Sequence, residues 1–147
     1  MTPTSAMRPL LTEDERIKAE IRVSLAQSAS AFKRGDVEAI LRAYAPDAVV
    51  LPPNSPAIQG IPAIRQLWKS LLVAGYRNAT LQFDQIQHWG DVALVTGRYT
   101  VEISSIPGTL AVDRGSYVGH WRRMADGQFR VTLSLWSSDR WRHPGHQ

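Results

Sequence analysis

The stretch VALVTGRYTV, Val92–Val101, decides the fold class of this chain. Its apolar and polar residues alternate with a period of two, which is typical of a half-buried β-strand. Gly90-Asp91 predicts a hairpin turn before it. In the preceding strand, Ile86 falls out of phase with the alternation, which predicts a β-bulge near Asp84-Gln85. One face of the stretch carries Ala93, Val95, Gly97, Tyr99 and Val101.

Two further strands follow, Ser116–Arg123 and Phe129–Trp136, and Asp126-Gly127 predicts a tight turn between them. Because both faces of the resulting sheet have apolar content, helices on one face leave the other to be covered. A second subunit is the simplest cover, so we predict a homodimer through the sheet. In the last strand we expect one face to carry Phe129, Val131, Leu133 and Leu135, and the other Thr132, Ser134 and Trp136.

The first half of the chain predicts helices. Thr12, followed by acidic residues, is a plausible start for a first helix, which Gly35 ends. Asp36 can cap a second helix, and Pro62 suits the first turn of a third. Since helices come first and long antiparallel strands last, the expected class is α+β, with the helices on one face of the sheet. The inner stripe of the first helix is Ile17, Ile21, Leu25, Ala29 and Phe32.

Length and composition fit one globular domain. The chain has 147 residues, 44% hydrophobic and 20% charged, which is enough for a proper core. We expect a single domain over residues 12–141, with flexible segments at 1–11 and 142–147. The absence of cysteine excludes disulfides, thiolate nucleophiles and cysteine-based zinc sites. No apolar run is long enough for a membrane span, so we expect no membrane association and a cytoplasmic location.

The net charge of +4 has two interpretations. The arginines late in the chain could contact an anionic partner such as nucleic acid, or they could belong to a solvated sheet face. No basic helix, RNP-like aromatic signature or zinc-finger spacing accompanies them. We therefore favour the solvated face and do not expect nucleic acid as a partner.

A series of short motifs resembles the SnoaL-like and ketosteroid-isomerase-like proteins of the nuclear-transport-factor-2-like superfamily. The resemblance covers about residues 12–141 and is greatest for uncharacterised small proteins associated with enediyne gene clusters. It implies a cystatin-like fold, in which about three N-terminal helices pack on the concave face of a cone-shaped, curved antiparallel sheet around one pocket. The motifs are Gly35-Asp36, Tyr44–Val50, Pro52-Pro53, Gly60, Trp68, Gly97–Thr100, Gly115–Tyr117, Trp121–Arg123, Asp126-Gly127 and Trp136–Asp139.

The resemblance does not extend to the catalytic residues of the steroid isomerases. Those enzymes use a carboxylate base, with a tyrosine and a protonated carboxylic acid that stabilise the enolate. The matching positions here are Pro52, Ser28 and Gly119. None supplies the required group, and Ser134 stands where the closer relatives often have an acid. We therefore expect no steroid isomerisation by that mechanism, and the catalytic residues are unknown.

The expected pocket is aromatic and weakly polar. Its aromatic residues either form a wall for a flat apolar ligand or pack as ordinary core. Ser28 either faces the pocket or bonds back to the carbonyl of Ser24. No histidine pair has the spacing of a helical metal site, so we expect neither metal nor cofactor. The expected lining is Ser28, Tyr44, Leu51, Trp68, Tyr99, Tyr117, Trp121, Ser134 and Trp136.

Three functions follow from these features. The first is binding of a small apolar or aromatic ligand, with an isomerase- or cyclase-type reaction that depends on holding a reactive conformer. The second is a non-catalytic module for ligand carriage or protein association. Nucleic-acid binding is third, well behind the other two.

Overall fold

The computed structural model describes residues 10–140. Within this range the chain forms three helices and six strands, and the helices pack on one face of a curved sheet. The expected α+β class and cystatin-like architecture are confirmed. The helices are α1 (Glu13–Arg34), α2 (Val37–Leu41) and α3 (Ile61–Val73), and the strands are β1 (Tyr44–Leu51), β2 (Ile58–Gln59), β3 (Tyr76–Trp89), β4 (Val92–Ile103), β5 (Ala111–Arg123) and β6 (Phe129–Ser138).

The helix ends follow the local sequence. At the start of α1, the Thr12 hydroxyl accepts from the Glu15 backbone N–H, and the Glu15 carboxylate accepts from the Thr12 N–H. This reciprocal pair satisfies two backbone donors that the first helical turn leaves free. Gly35 ends α1 with φ of 71°, a left-handed conformation that suits glycine. The Asp36 carboxylate then accepts from the Ala39 N–H and starts α2.

The six strands lie in the order β2-β1-β6-β5-β4-β3. All neighbours are antiparallel except β1 and β6, which run parallel. The sheet is therefore mixed, whereas we expected it to be wholly antiparallel. The difference arises because the last strand inserts between β1 and β5 instead of adding at an edge, a long-range pairing that strand patterns do not encode.

Two bulges set which side chains face the helices. In β3 the register shifts between Phe83 and Gln85, which confirms the predicted bulge. In β6, His120 pairs with Leu133 while Trp121 pairs with Val131, so Thr132 is the extra residue. The Thr132 hydroxyl donates to the His120 carbonyl oxygen at 3.0 Å and so holds the bulge.

The faces predicted for β6 are wrong beyond its bulge. Residues paired across antiparallel strands share a face, so Leu133 and Leu135 lie on the outer face with His120 and Val118. They do not share the concave face with Phe129, as the simple alternation predicted. Beyond the bulge, the concave face carries Ser134, Trp136 and Ser138.

The core consists of three adjoining clusters on the concave face. The first packs Ile17 and Ile21 of α1 against Trp121 and the strands around it. The second joins the end of α1 to α2 and β4, and the third joins α2, α3 and β1. Tyr44 packs against all three clusters. The centre of the concave face therefore lies at Tyr44.

Two glycine–tyrosine pairs shape β4 and β5. Gly97 pairs with Tyr117, and Tyr99 pairs with Gly115, so the same Gly-x-Tyr motif occurs twice in reciprocal register. A Cβ on Gly97 would lie 2.9 Å from the Tyr117 hydroxyl, and one on Gly115 would lie 2.7 Å from that of Tyr99. Each glycine therefore leaves room for a tyrosine ring to cross the neighbouring strand.

The two ends of the chain are not part of the helices and strands described above. Residues 1–9 and 141–147, which include most of the segments predicted to be flexible, lie outside the described part of the chain. Among residues 10–140, no helix is both long enough and apolar enough to cross a bilayer.

Candidate functional site

Four aromatic side chains meet at the centre of the concave face, and we call Tyr44, Trp68, Tyr117 and Trp136 the aromatic cluster. Trp68 of α3 stacks on Trp136 of β6, with ring centroids 6.4 Å apart and an interplanar angle of 24°. Tyr117 of β5 lies opposite Trp136 in the β5–β6 register. Tyr44 and the other three all pack against the second core cluster. The cluster thus draws on β1, α3, β5 and β6.

Two polar atoms in this cluster are buried without a partner. Trp68 Nε1 and the Tyr117 hydroxyl make no hydrogen bond to any described residue. Leaving a buried donor unsatisfied costs about 1–3 kcal/mol. Two such groups within one aromatic cluster leave donors that an acceptor oxygen on a ligand can satisfy.

The hydroxyls of the cluster stay protonated at neutral pH. Burial raises the pKa of Tyr117 to about 12, and the negative charge of Asp84 acts in the same direction. Burial also raises the pKa of Tyr44 to about 12, while the nearby Trp68 N–H acts in the opposite direction. This N–H lies close enough to Tyr44 to affect it but outside hydrogen-bonding geometry. Both tyrosines therefore act as hydrogen-bond donors.

A buried carboxylate lies on the same face, beyond the cluster. Asp113 is only 8% exposed. The Tyr99 hydroxyl donates to its Oδ2 at 2.9 Å, and the Ser138 hydroxyl donates to its Oδ1. Burial raises the pKa of Tyr99 above its ordinary value, and the hydrogen bond to the Asp113 carboxylate acts in the same direction. Because both carboxylate oxygens accept a hydroxyl, Asp113 joins β4, β5 and β6 and is not free to act as a base.

Asp113 was not among the residues predicted from the sequence. The signal was nevertheless present, since Asp113 shares the parity of Gly115 and Tyr117 in β5. That parity places its side chain on the concave face, where a carboxylate needs partners.

Other ionisable side chains lie away from the cluster. Asp47 is exposed and faces Arg122, with Oδ1 and Nη2 3.8 Å apart. His120 is on the outer face beside Thr132. His88 has only 13% of its side chain exposed and lies 3.4 Å from Asp14. Asp84, in the β3 bulge, is the carboxylate whose charge reaches Tyr117.

The structure brings together only part of the predicted lining. Tyr99 packs in the same core cluster as Tyr117, whereas Trp121, 1% exposed, lies under the first half of α1. Ser134 lies on the concave face opposite Gly119. Leu51 pairs with Leu135, which places it on the outer face, apart from the cluster. The sequence pattern missed this because Leu51 is the last residue of β1, and the register of β1 is set by its pairing with the bulged β6.

Two surface cavities are present, and the second of them includes Tyr44 of the cluster in its wall. A cavity of about 770 Å³ runs between α1, α2 and the start of β6, and Ser28 belongs to its wall. A second cavity of about 430 Å³ is lined by Tyr44, Pro46 and Ile61, among others. Of the predicted pocket residues, Ser28 and Tyr44 therefore reach these cavities. Within residues 10–140, no three side chains of the metal-ligating types come together.

Ion pairs account for much of the charge on the late arginines. Arg122 faces Asp47, Arg123 contacts Asp91 at 2.9 Å, and Arg130 contacts Asp126 at 2.7 Å. Such local pairing favours a solvated sheet face over an extended cationic surface.

Comparisons with known proteins agree with this architecture. The family model described as SnoaL-like domain matches residues 25–132. No curated protein matches the chain. Solved structures do match, at identities that establish the fold alone.

Three of these structures span nearly the whole domain. A ketosteroid isomerase-like protein from Erwinia carotovora is 21% identical over 86% of this chain and 98% of that one, with a TM-score of 0.72. An NTF2-like protein with a cystatin-like fold from Novosphingobium aromaticivorans is 19% identical over 88% and 86%, with a TM-score of 0.73. A putative calcium/calmodulin dependent protein kinase II association domain from Xanthomonas campestris is 19% identical over 92% and 94%, with a TM-score of 0.71.

Proposed function

The chain belongs to the SnoaL-like domain family, and from this premise we propose that it binds a small hydrophobic molecule at the aromatic cluster. The observation that carries the proposal is the pair of buried, unpartnered donors, Trp68 Nε1 and the Tyr117 hydroxyl. Two unsatisfied donors at the centre of the fold lower the stability of the folded state. A ligand that accepts a hydrogen bond from them removes this cost.

The chemistry of the cluster defines the ligand class. Stacked Trp68 and Trp136 favour a flat, apolar body. The Tyr117 hydroxyl is a buried donor, and burying a charged ligand there would be costly. The site therefore favours an uncharged acceptor such as a carbonyl oxygen. We therefore propose a flat apolar or aromatic ketone as the ligand class.

Entry to the cluster requires a local opening, because the Tyr117 hydroxyl has no contact with solvent. We place this opening at β3, which is an edge strand of the sheet. Its bulge lies beside Phe83, a large apolar residue that is 38% exposed. Edge strands with bulges are the parts of a sheet that separate most readily.

The proposed reaction class is isomerase- or cyclase-type, in which the cluster holds one reactive conformer and the donors polarise the carbonyl. Asp84 is the carboxylate whose negative charge acts on Tyr117, and it is our candidate proton acceptor. A carrier without catalysis uses the same contacts and is distinguished by the absence of product. Assignment to the enediyne-associated branch, which rests on the resemblance of Trp136–Asp139 and the other motifs, stays a prediction.

Protein association is a second candidate function, because the outer face of the sheet supports it. The β6 bulge places Leu133 and Leu135 on this face beside Val118 and Leu94, all partly exposed. We propose that a second copy of the chain covers this surface and forms the homodimer predicted from the sequence.

The ligand proposal is tested with two flat molecules of nearly equal shape, 9-fluorenone and fluorene, of which only the ketone has an acceptor oxygen. Calorimetric titration of the wild type is expected to give about tenfold tighter binding of the ketone, as one hydrogen bond of about 1.4 kcal/mol implies. Tyr117→Phe is expected to reduce that preference and to leave fluorene binding unchanged. Equal affinities for the two molecules in the wild type would contradict the proposal.

A further inference from the structure

The cavity of about 770 Å³ between α1, α2 and the start of β6 has a chemistry unlike that of the aromatic cluster. We call it the arginine groove, because its wall includes Arg16, Arg34, Arg42 and Arg130. It is separate from the aromatic cluster, since none of the four cluster residues lines it.

The carboxylates near the groove are largely engaged. The Glu20 carboxylate, which also lines the groove, accepts the Phe129 backbone N–H at 2.7 Å. Asp126 accepts two hydrogen bonds from Arg130, at 3.1 and 2.7 Å. The ion pair with Arg130 neutralises Asp126. Glu20 keeps its negative charge, which stands against the four arginines of the wall.

Two of the arginines are not neutralised. Arg16 donates to the Leu11 carbonyl oxygen at 2.9 Å, a contact without a charge partner. Among residues 10–140, neither Arg16 nor Arg42 has a carboxylate within salt-bridge distance. Arg34 lies 3.7 Å from Asp36, an exposed and loose pair. The groove therefore has an excess of positive charge, to which Arg16 and Arg42 contribute without a carboxylate partner among residues 10–140.

The rest of the wall includes apolar side chains. Val23 is 56% exposed, unusually open for a large apolar side chain, and Phe129 adds its ring. A volume of about 770 Å³ lies within the roughly 300–1,000 Å³ of small-molecule pockets. The second cavity adjoins the groove, since Arg42 and Arg130 line both. Tyr44 lines the second cavity only.

We propose that the arginine groove is a binding site for a small amphiphilic organic anion. Its carboxylate, sulfonate or phosphate group binds the guanidinium of Arg42, and Arg16 adds to the positive charge of the same wall. Its apolar body covers Val23 and Phe129. A guanidinium suits this role because its planar donors bind two oxygens of an anion at once. The site is additional to the proposed ketone site, and neither depends on the other.

The test uses two fluorescent probes, 8-anilinonaphthalene-1-sulfonate and N-phenyl-1-naphthylamine, which share an apolar body but differ in the sulfonate. Arg42→Gln is expected to weaken binding of the sulfonate probe about tenfold and to leave the neutral probe unchanged. Arg42→Lys, which keeps the charge, is expected to retain most of the affinity. Arg22→Gln is the matched control, because it removes the same charge from an exposed position on α1 outside the groove.

The outcomes separate this site from the aromatic cluster. Tyr117→Phe is expected to leave binding of the sulfonate probe unchanged. The proposal is overturned if Arg42→Gln binds the sulfonate probe like the wild type, if Arg22→Gln loses as much affinity as Arg42→Gln, or if Tyr117→Phe loses it. Circular dichroism of each variant establishes that the fold is intact.

Discussion

Replacing Tyr117 by phenylalanine is expected to stabilise the folded protein without ligand. The substitution removes only the hydroxyl, which is buried and has no partner among the described residues. An unsatisfied buried hydroxyl costs about 1–3 kcal/mol, and partial relaxation leaves a gain of about 1 kcal/mol. For a domain of this size that raises the melting temperature by about 3 °C. Urea unfolding followed by tryptophan fluorescence measures the change.

Tyr99→Phe is the matched control and is expected to have the opposite sign. Its hydroxyl donates to the buried Asp113 carboxylate at 2.9 Å, so its loss leaves one carboxylate oxygen unsatisfied. A destabilisation of about 2 kcal/mol is expected. If Tyr117→Phe instead destabilises the protein by about 1 kcal/mol or more, the hydroxyl has a partner in the folded state. The reasoning behind the ligand site would then fail.

Three further changes test the sheet, its outer face and the buried tyrosines. Gly115→Ala places a Cβ in collision with the Ser137 carbonyl oxygen and is expected to destabilise the fold by about 3 kcal/mol in urea unfolding; unchanged stability would contradict the register. Leu135→Glu is expected to shift the protein from dimer to monomer in light scattering, and a wild-type monomer would refute the outer-face interface. Above pH 10 the unfolded chain ionises tyrosines that burial keeps protonated in the fold, since Tyr44 and Tyr117 have pKa values of about 12. Stability is therefore expected to fall as pH rises from 10 to 12, and absorbance at 295 nm at pH 11 is expected to increase on unfolding in guanidinium; no increase would show these groups to be exposed.

The fold class could be predicted because its signals are local. Caps at Thr12 and Asp36 start the first two helices, and the alternation within Val92–Val101 defines a strand. The β3 bulge could also be predicted, because Ile86 visibly breaks the phase of the apolar residues. These features depend on neighbours within a few residues along the chain.

The β6 bulge could not be predicted, because the apolar alternation continues through it. Leu133 and Leu135 keep the phase of Val131, yet the pairing with β5 turns them to the outer face. The extra residue is held by the contact between Thr132 and His120, twelve positions apart. The parallel pairing of β1 with β6 joins residues much further apart along the chain, and it determines the face of Leu51.

Part of the site could also be predicted, because some of its signals are local. Strand parity places Tyr117 and Trp136 on one face, and the helical stripe of α3 brings Trp68 to them. Whether a buried donor finds an acceptor depends on atoms from four separate elements, so the unpartnered state of Trp68 and Tyr117 has no sequence signal. The arginine groove also has no sequence signal, because it forms where α1, α2 and β6 meet.

The central claim is that the aromatic cluster binds a flat ketone through its unpartnered donors. A crystal structure of the protein with 9-fluorenone tests it most directly. We predict that the ketone lies against Trp68 and Trp136, with its oxygen about 2.7–3.2 Å from the Tyr117 hydroxyl or Trp68 Nε1. A ketone bound elsewhere, with both donors still unpartnered in the complex, would contradict the account.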